Sequence, residues 1–329
     1  LKQLVGIGIE NRSLFYNAKA KKRRCGRIMK DLTKNRWKFV LIPALIVIAG
    51  IVLYIVHGGF NFDVEFMGGI RMQVNMHTDF DNKEVADLIQ EKTVDTVSAK
   101  VQTGDNPQVA VIKTPPVDET VKTEIFNALK DKYNLSDDDL LSVSSASASF
   151  GNEIQRKALL YTLLAIICIL IYIAIRFEWR SAIMAVIALA INVLIMAAIY
   201  AITNIPLNTN FIAAMLTVVG YSINNTIVIF DRIRENTKSR KKNETISEMV
   251  NRSVFETMGR TINSTITTLI TIVLIYILGV SAIKEFALPL IVGILAGAYT
   301  SIFIASTFWA SWKESDMKAK AAAAQERKA

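Results

Sequence analysis

Between Gly220 and Asn236 the chain reads GYSINNTIVIFDRIREN, and Ser222, Asn224, Asn225 and Thr226 stand there as a polar group in an otherwise apolar run. Thr217, Tyr221 and Asn225 recur every four residues, and Ser222 stands three before Asn225, so on a helix they share a face. In a second apolar stretch Arg260, Ser264, Thr267, Thr268 and Thr271 line one face, with Asn263 beside it, and Asn192 lies in a third. Such groups can do two things in apolar surroundings. They can hydrogen-bond helices to one another, at about 0.6–2 kcal/mol each, or face a hydrated cleft in which an ion binds or a conformation switches. Helix packing is a sufficient reading for the scattered Ser and Thr. For Asn192, Asn224 and Asn225 together with Arg260 both readings stand, and Arg260, at a helix start, can also snorkel to an interface.

Positioning these groups is a matter of long apolar segments. The chain has 329 residues, 52% of them hydrophobic, and a mean hydropathy of +0.34, more apolar than an ordinary soluble domain. A membrane-spanning helix needs roughly 20 mainly apolar residues. Stretches at about 39–57, 157–175, 181–202, 211–230, 261–280 and 286–311 meet or approach that length with no Lys, Arg, Asp or Glu in the middle. The expectation is a polytopic α-helical membrane protein with six transmembrane helices. The last span carries Gly293 and Gly297, a pair that suits a close helix crossing, as does Gly220 in the fourth.

The net charge of +9 is concentrated in short segments. KAKKRRCGRIMK and KNRWK precede the first span, Arg176 and Arg180 flank the turn between spans two and three, and DRIRENTKSRKK and the C-terminal tail carry most of the rest. All fall on one side if six spans alternate. Short Lys- and Arg-rich loops stay cytoplasmic, so both termini are expected inside. Attraction to anionic membrane lipid accounts for the basic segments; nucleic acid does not, because no aromatic-interleaved basic groove accompanies them. Cys25 and Cys168 belong to different levels of the membrane and are not expected to pair. His57 and His77 have no nearby cysteine, so no metal constellation is expected. No nucleophile–base set stands out, and the chain is not expected to be an enzyme or to need a cofactor.

The segment between the first two spans is acidic and about 95 residues long. FDVEFMGGIRMQVNM alternates like a strand on either side of Gly68-Gly69, a bulge, turn or hinge candidate. DFDNKEVADLIQEKT and PPVDETVKTEIFNALKDKY read as amphipathic helices, the latter opened by Pro116. TVSAKVQT, QVAVIKT and LSVSSASASF read as strands. The order β-α-β-β-α-β predicts a small ferredoxin-like α+β domain. The domain boundaries so read are a cytoplasmic N-terminal tail at 1–38, a first span at 39–57, the extracytoplasmic domain at 58–153, and a five-span bundle at 154–311. That bundle includes a cytoplasmic connector at 231–260, and a basic cytoplasmic tail follows at 312–329.

FDVEFMGGI, RFEWRSAIMAVIAL, GYSINNTIVIFDRIREN, GRTINSTITTLITI and FALPLIVGILAGAYTSIFIAS together resemble the SecF side of the SecD/SecF family, protein-translocase subunits within the resistance-nodulation-division superfamily. The resemblance covers nearly the whole chain after residue 30, and the opening LKQLVGIGIENRSLFY is similar to the way SecD chains end, as in the second half of a SecD–SecF fusion. It implies an accessory role late in protein export across the bacterial cytoplasmic membrane, with SecD, the SecYEG translocon and YajC- or YidC-like proteins as partners and the translocating polypeptide as substrate. It also implies a cycle driven by a proton or sodium gradient.

At two places the sequence departs from the family pattern. Asn225 stands where the family usually has Asp, and Ile191-Asn192-Val193 where it usually has His-Asp-Val. An amide cannot lose a proton, so neither position can relay one. Arg260 keeps its family position. The resemblance thus carries the architecture and the export role to this chain but not proton conduction by it. Another resistance-nodulation-division transporter half and a scaffold that uses no energy are the competing readings.

Overall fold

The computed structural model describes residues 32–92, 100–103, 107–146, 148–176, 178–240, 243–279 and 281–326. Most of the N-terminal tail, with Cys25, lies outside the described residues. The chain is mostly helical. It opens with α1 (Arg36–Val56), passes through a mixed unit, and continues as long helices. The mixed unit comprises α2 (Val64–Met67), β1 (Gly69–Asn75), α3 (Asn82–Lys92), β2 (Lys100–Thr103), β3 (Val109–Thr114), α4 (Glu119–Tyr133) and β4 (Leu140–Ala146). The helices that follow are α5 (Ala148–Arg176), α6 (Trp179–Thr203), α7 (Thr209–Lys238), α8 (Ile246–Leu278), α9 (Ser281–Thr300), a π-helical turn (Ser301–Ala305) and α10 (Ser306–Glu326).

Five helices among the described residues are long and apolar enough to cross a membrane, the last running without a break from Ile283 to Ala323. The stretch expected at about 157–175 lies in α5, whose apolar part, Leu160–Arg176, is shorter. With Leu41, Leu45, Ile48, Ile51, Ile55, Ile266, Ile270, Leu274 and Leu278 presented outward, the chain is a multi-pass membrane protein, since a soluble monomer rarely exposes so much apolar surface on its long helices. α7 contains both the apolar run and the DRIREN charges. Asn208 caps the start of α7 by accepting from Phe211 N, and the helix then runs through the charged turns to Lys238. In the same way α8 begins at a capping box of Thr245 and Glu248 and carries the connector and the apolar stretch as one helix.

The mixed unit holds a four-stranded sheet in the order β2-β3-β1-β4, every neighbouring pair antiparallel. Period-two alternation turns Ile70, Met72 and Val74 of β1 inward, where they meet Ala110 and Ile112 of β3, Val85 and Ile89 of α3, and Ile125 and Leu129 of α4. Burying each large aliphatic side chain is worth about 1.5–3 kcal/mol, which is what a unit without disulfides has to rely on. The strand expected on both sides of Gly68-Gly69 exists only on the C-terminal side; Val64–Met67 form a single helical turn. Gly68 (φ 80°) and Gly69 (φ 131°) make the reversal, and the Thr114 carbonyl occupies the space of a Cβ at Gly69.

Candidate functional site

The long helices meet in a fixed register. Gly293 of α9 packs on Val218 of α7, Gly297 on Ser222, and Ser301 on Thr226, so α7 and α9 run parallel. Tyr221 reaches Thr268 at 3.4 Å and Asn236 reaches Ser253 at 2.9 Å, so α8 runs antiparallel to α7. A Cβ at Gly297 would lie 3.0 Å from Ser222 Cβ. That close approach lets hydroxyls on the two helices meet.

A polar seam lies there. Asn192 of α6, 1% exposed, donates through Nδ2 to Ser222 Oγ at 2.7 Å and accepts from Thr300 Oγ1 at 2.7 Å. Thr226 Oγ1 donates to the Ser222 carbonyl at 3.0 Å and shares a 2.7 Å hydrogen bond with Ser301 Oγ. Ser222, Thr226, Thr300 and Ser301 are all buried. The seam therefore joins three helices through neutral groups whose donors and acceptors answer one another, which suits groups held where water is scarce. Thr300 and Ser301 are the members that sequence reasoning missed. Their signal was spacing: they follow Gly297 by three and four residues, the turn that faces Ser222 and Thr226.

The structure divides the remaining candidates. Asn225 is buried, and among the described residues its Nδ2 has no hydrogen-bond partner; the same holds for Thr261 Oγ1 and Thr265 Oγ1 on α8. The α7–α8 register sets Asn225 level with Ser264 and Thr265. A buried unsatisfied group costs about 1–3 kcal/mol, so these three are the expensive part of the site. Asn224, Arg260 and Gly220 lie on the exposed side and do not join the seam, and a Cβ added at Gly220 would meet nothing described within 4 Å. Most of the scattered hydroxyls do not tie helices together. Thr217, Ser264, Thr267 and Thr271 donate to carbonyls three or four residues back in their own helices, the local alternative open to Ser and Thr in a helix.

A second cluster was not legible as a site. Asp63, 1% exposed, lies between Arg71 Nη1 at 3.2 Å and Lys113 Nζ at 2.9 Å. The other arm of Arg71 pairs with Glu285 of α9, and Glu285 Oε2 accepts from Asn208 Nδ2 at 2.5 Å. Glu65 accepts from the backbone and hydroxyl of Thr209, at 2.8 and 2.6 Å. Phe62 and Leu207 form an isolated parallel bridge beside them.

A helical membrane bundle with an inserted α/β unit and a buried neutral seam defines the class as polytopic membrane proteins. The family model described as protein export membrane protein SecD/SecF, C-terminal, matches residues 125–315. The SecF subunit of protein translocase from Alicyclobacillus acidocaldarius is 37% identical over 289 residues, which is 86% of this chain and 92% of that one. The chain belongs to the SecD/SecF family. The SecDF subunit of Bacillus subtilis is 34% identical over 88% of this chain, which spans only 39% of that longer protein. The crystal structure of SecDF from Thermus thermophilus superposes with a TM-score of 0.78 at 29% identity, covering 86% of this chain and 38% of the other.

Proposed function

We propose that the chain is a SecF-type accessory subunit of Sec protein export that works with SecD to complete polypeptide translocation across the bacterial cytoplasmic membrane. Six spans, α5 completing the set, put the α/β unit outside as a ferredoxin-like domain and both termini in the cytoplasm, the arrangement that the Lys- and Arg-rich loops favour. Relatives in which SecD and SecF are one chain support SecD as the partner. So does the outward face of α7 and α8: Thr217, Asn224, Arg260, Asn263 and Thr267 are exposed there, and lipid is a poor neighbour for such a stripe. A second bundle covering it would answer that cost. SecYEG and YajC- or YidC-like proteins belong to the same reading as the surrounding machinery, and the subunit acts mechanically, not as an enzyme.

The observation that carries the reading is the Asn192–Ser222–Thr300 junction, where three helices are joined by hydrogen bonds that can be exchanged as the helices shift. Its groups are neutral, so the seam transmits a conformational change and does not relay protons; the coupling ion, H⁺ or Na⁺, is taken up elsewhere or by neutral oxygens. The seam's mutual satisfaction also favours a second reading, a passive scaffold. Asn225→Leu separates the two: export in cells that depend on this chain falls if the site is a switch and is unchanged if it is packing. Export in vesicles under separate Na⁺ and H⁺ gradients then identifies the ion, and a response to neither removes energy coupling from the proposal.

A further inference from the structure

The ionic cluster at the foot of the α/β unit joins parts of the chain that are far apart in sequence. Asp63 belongs to the connector after α1, Arg71 to the central strand β1, Lys113 to β3, and Glu285 to the second turn of α9. One guanidinium therefore bridges a carboxylate beneath the sheet and a carboxylate on a membrane helix. A planar fork can do this and a lysine ammonium cannot do it with the same geometry. Burial on its own would lower the Arg71 pKa; the hydrogen bond and charge of Glu285, with Asp63 and Glu65 beyond, outweigh that and raise it. The guanidinium stays charged at any physiological pH.

Such a bridge is a poor source of net stability, because the desolvation of the ions offsets most of their attraction. Its geometric specificity is the better reason for it. The same helix that carries Glu285 passes Gly293 and Gly297 and delivers Thr300 and Ser301 to the polar seam. From Glu285 to Thr300 is about 22 Å of helix at 1.5 Å per residue. Immediately beyond lies the π-helical turn Ser301–Ala305, an irregularity of the kind at which helices kink and functional sites cluster.

We propose that the Asp63–Arg71–Glu285 bridge is the joint through which movement of α9 reaches the α/β domain, with Arg71 as its positioning residue. This rests on the export reading above and assigns that reading's mechanical link. A shift of α9 at the seam displaces Glu285, Arg71 follows it, and β1 carries the displacement into the centre of the sheet. Phe62–Leu207 and Glu65–Thr209 hold the connector beside Asp63 to the start of α7, and Asn208–Glu285 ties α9 to the same point, so the start of α7 is the fulcrum about which a shift of α9 tilts the domain.

The test uses the full chain with Cys25→Ser and Cys168→Ser, spin-labelled through Glu124→Cys on α4 and Thr203→Cys at the end of α6. A single narrow label-to-label distance is expected for the otherwise unaltered chain. Glu285→Ala, which leaves Asp63, Arg71 and Lys113 in place, should at least double the width of that distribution. It should also lower export severalfold at unchanged membrane abundance. Arg71→Lys keeps the charge but loses the fork, and should act like Glu285→Ala. A distribution as narrow as the parent's in both variants overturns the joint, whatever export does. Broadening with full export overturns the transmission role. Export by the unaltered chain in cells lacking their own SecF is the separate control: its failure removes the export reading, and the distance distributions still decide whether the bridge fixes the domain to α9.

Discussion

Thr300 donates to the Asn192 side-chain carbonyl while the same amide donates to Ser222, both at 2.7 Å, so one side chain on α6 ties together α7 and α9. Asn192→Leu leaves two buried hydroxyls without that partner. Thr300 can fall back on the Gly297 carbonyl, 3.3 Å away, which offsets part of the loss. The expected cost is about 1–3 kcal/mol, read as a lower unfolding temperature of the detergent-purified protein. Asn224→Leu, on the exposed side of α7, should lower it far less. Equal effects would show that the amide is not the tie.

The glycines of α9 are ranked by what a methyl group would meet. At Gly293 a Cβ would come within 2.8 Å of Met196 Sδ and closer still to Val218; at Gly297 it would stand 3.0 Å from Ser222 Cβ and Oγ. Overpacking costs about 1–3 kcal/mol. Gly293→Ala should sit at the upper end of that range and Gly297→Ala at the lower. Gly220→Ala meets nothing described and should stabilise α7 by up to about 1 kcal/mol, as helix propensity dictates. Thermal unfolding of the three variants side by side checks the order, and a Gly220→Ala as damaging as Gly293→Ala would refute it.

What could be read from the sequence was whatever hydropathy, local spacing and charge encode. The apolar runs marked the long helices, and the alternation around Met72 and Ile112 marked the sheet. Partnership was not encoded locally. Nothing near Arg71 reveals that Glu285, which is 214 residues away, completes its fork, because a surface-looking Arg and Glu become a pair only when the domain is set on the bundle. Asn224 and Asn225 are adjacent letters of one polar cluster, yet a helix turns about 100° per residue, and one faces outward while the other is buried. The hydroxyls of Thr217 and Thr267 suggested ties between helices and instead bond within their own, a choice that residue type alone does not make.

Gly69 is where backbone and packing act together. Its φ of 131° suits glycine alone, and the Thr114 carbonyl fills the place of a Cβ. Gly59 has nearly the same φ, 128°, with nothing described within 4 Å. Gly59→Ala should thus report strain alone, about 1–3 kcal/mol, while Gly69→Ala adds the collision and loosens β1 from β3. Hydrogen exchange at Met72 and Val74 is the measurement: protection should drop sharply in Gly69→Ala and hold in Gly59→Ala. Equal protection would mean that β3 can withdraw without cost.

Asp139 sits at the entrance to β4, where the Ser136 backbone N–H, at 2.7 Å, the Ser136 hydroxyl, at 2.9 Å, and His77 Nε2, at 2.6 Å, all converge on its carboxylate. The backbone hydrogen bond is the largest influence, burial opposes it, and the Ser136 hydroxyl and His77 add to the lowering, so the carboxyl is held below its ordinary value. A carboxylate with a depressed native pKa contributes stability above its unfolded pKa, about 3.9 for Asp, and that contribution is lost as the pH falls through the native value. The α/β unit should therefore lose protection progressively below about pH 4. Asp139→Asn should flatten this part of the profile while lowering stability at pH 7. Hydrogen exchange of β4 amides as a function of pH checks it, and an unchanged acid profile in the variant would place the acid sensitivity on other carboxylates.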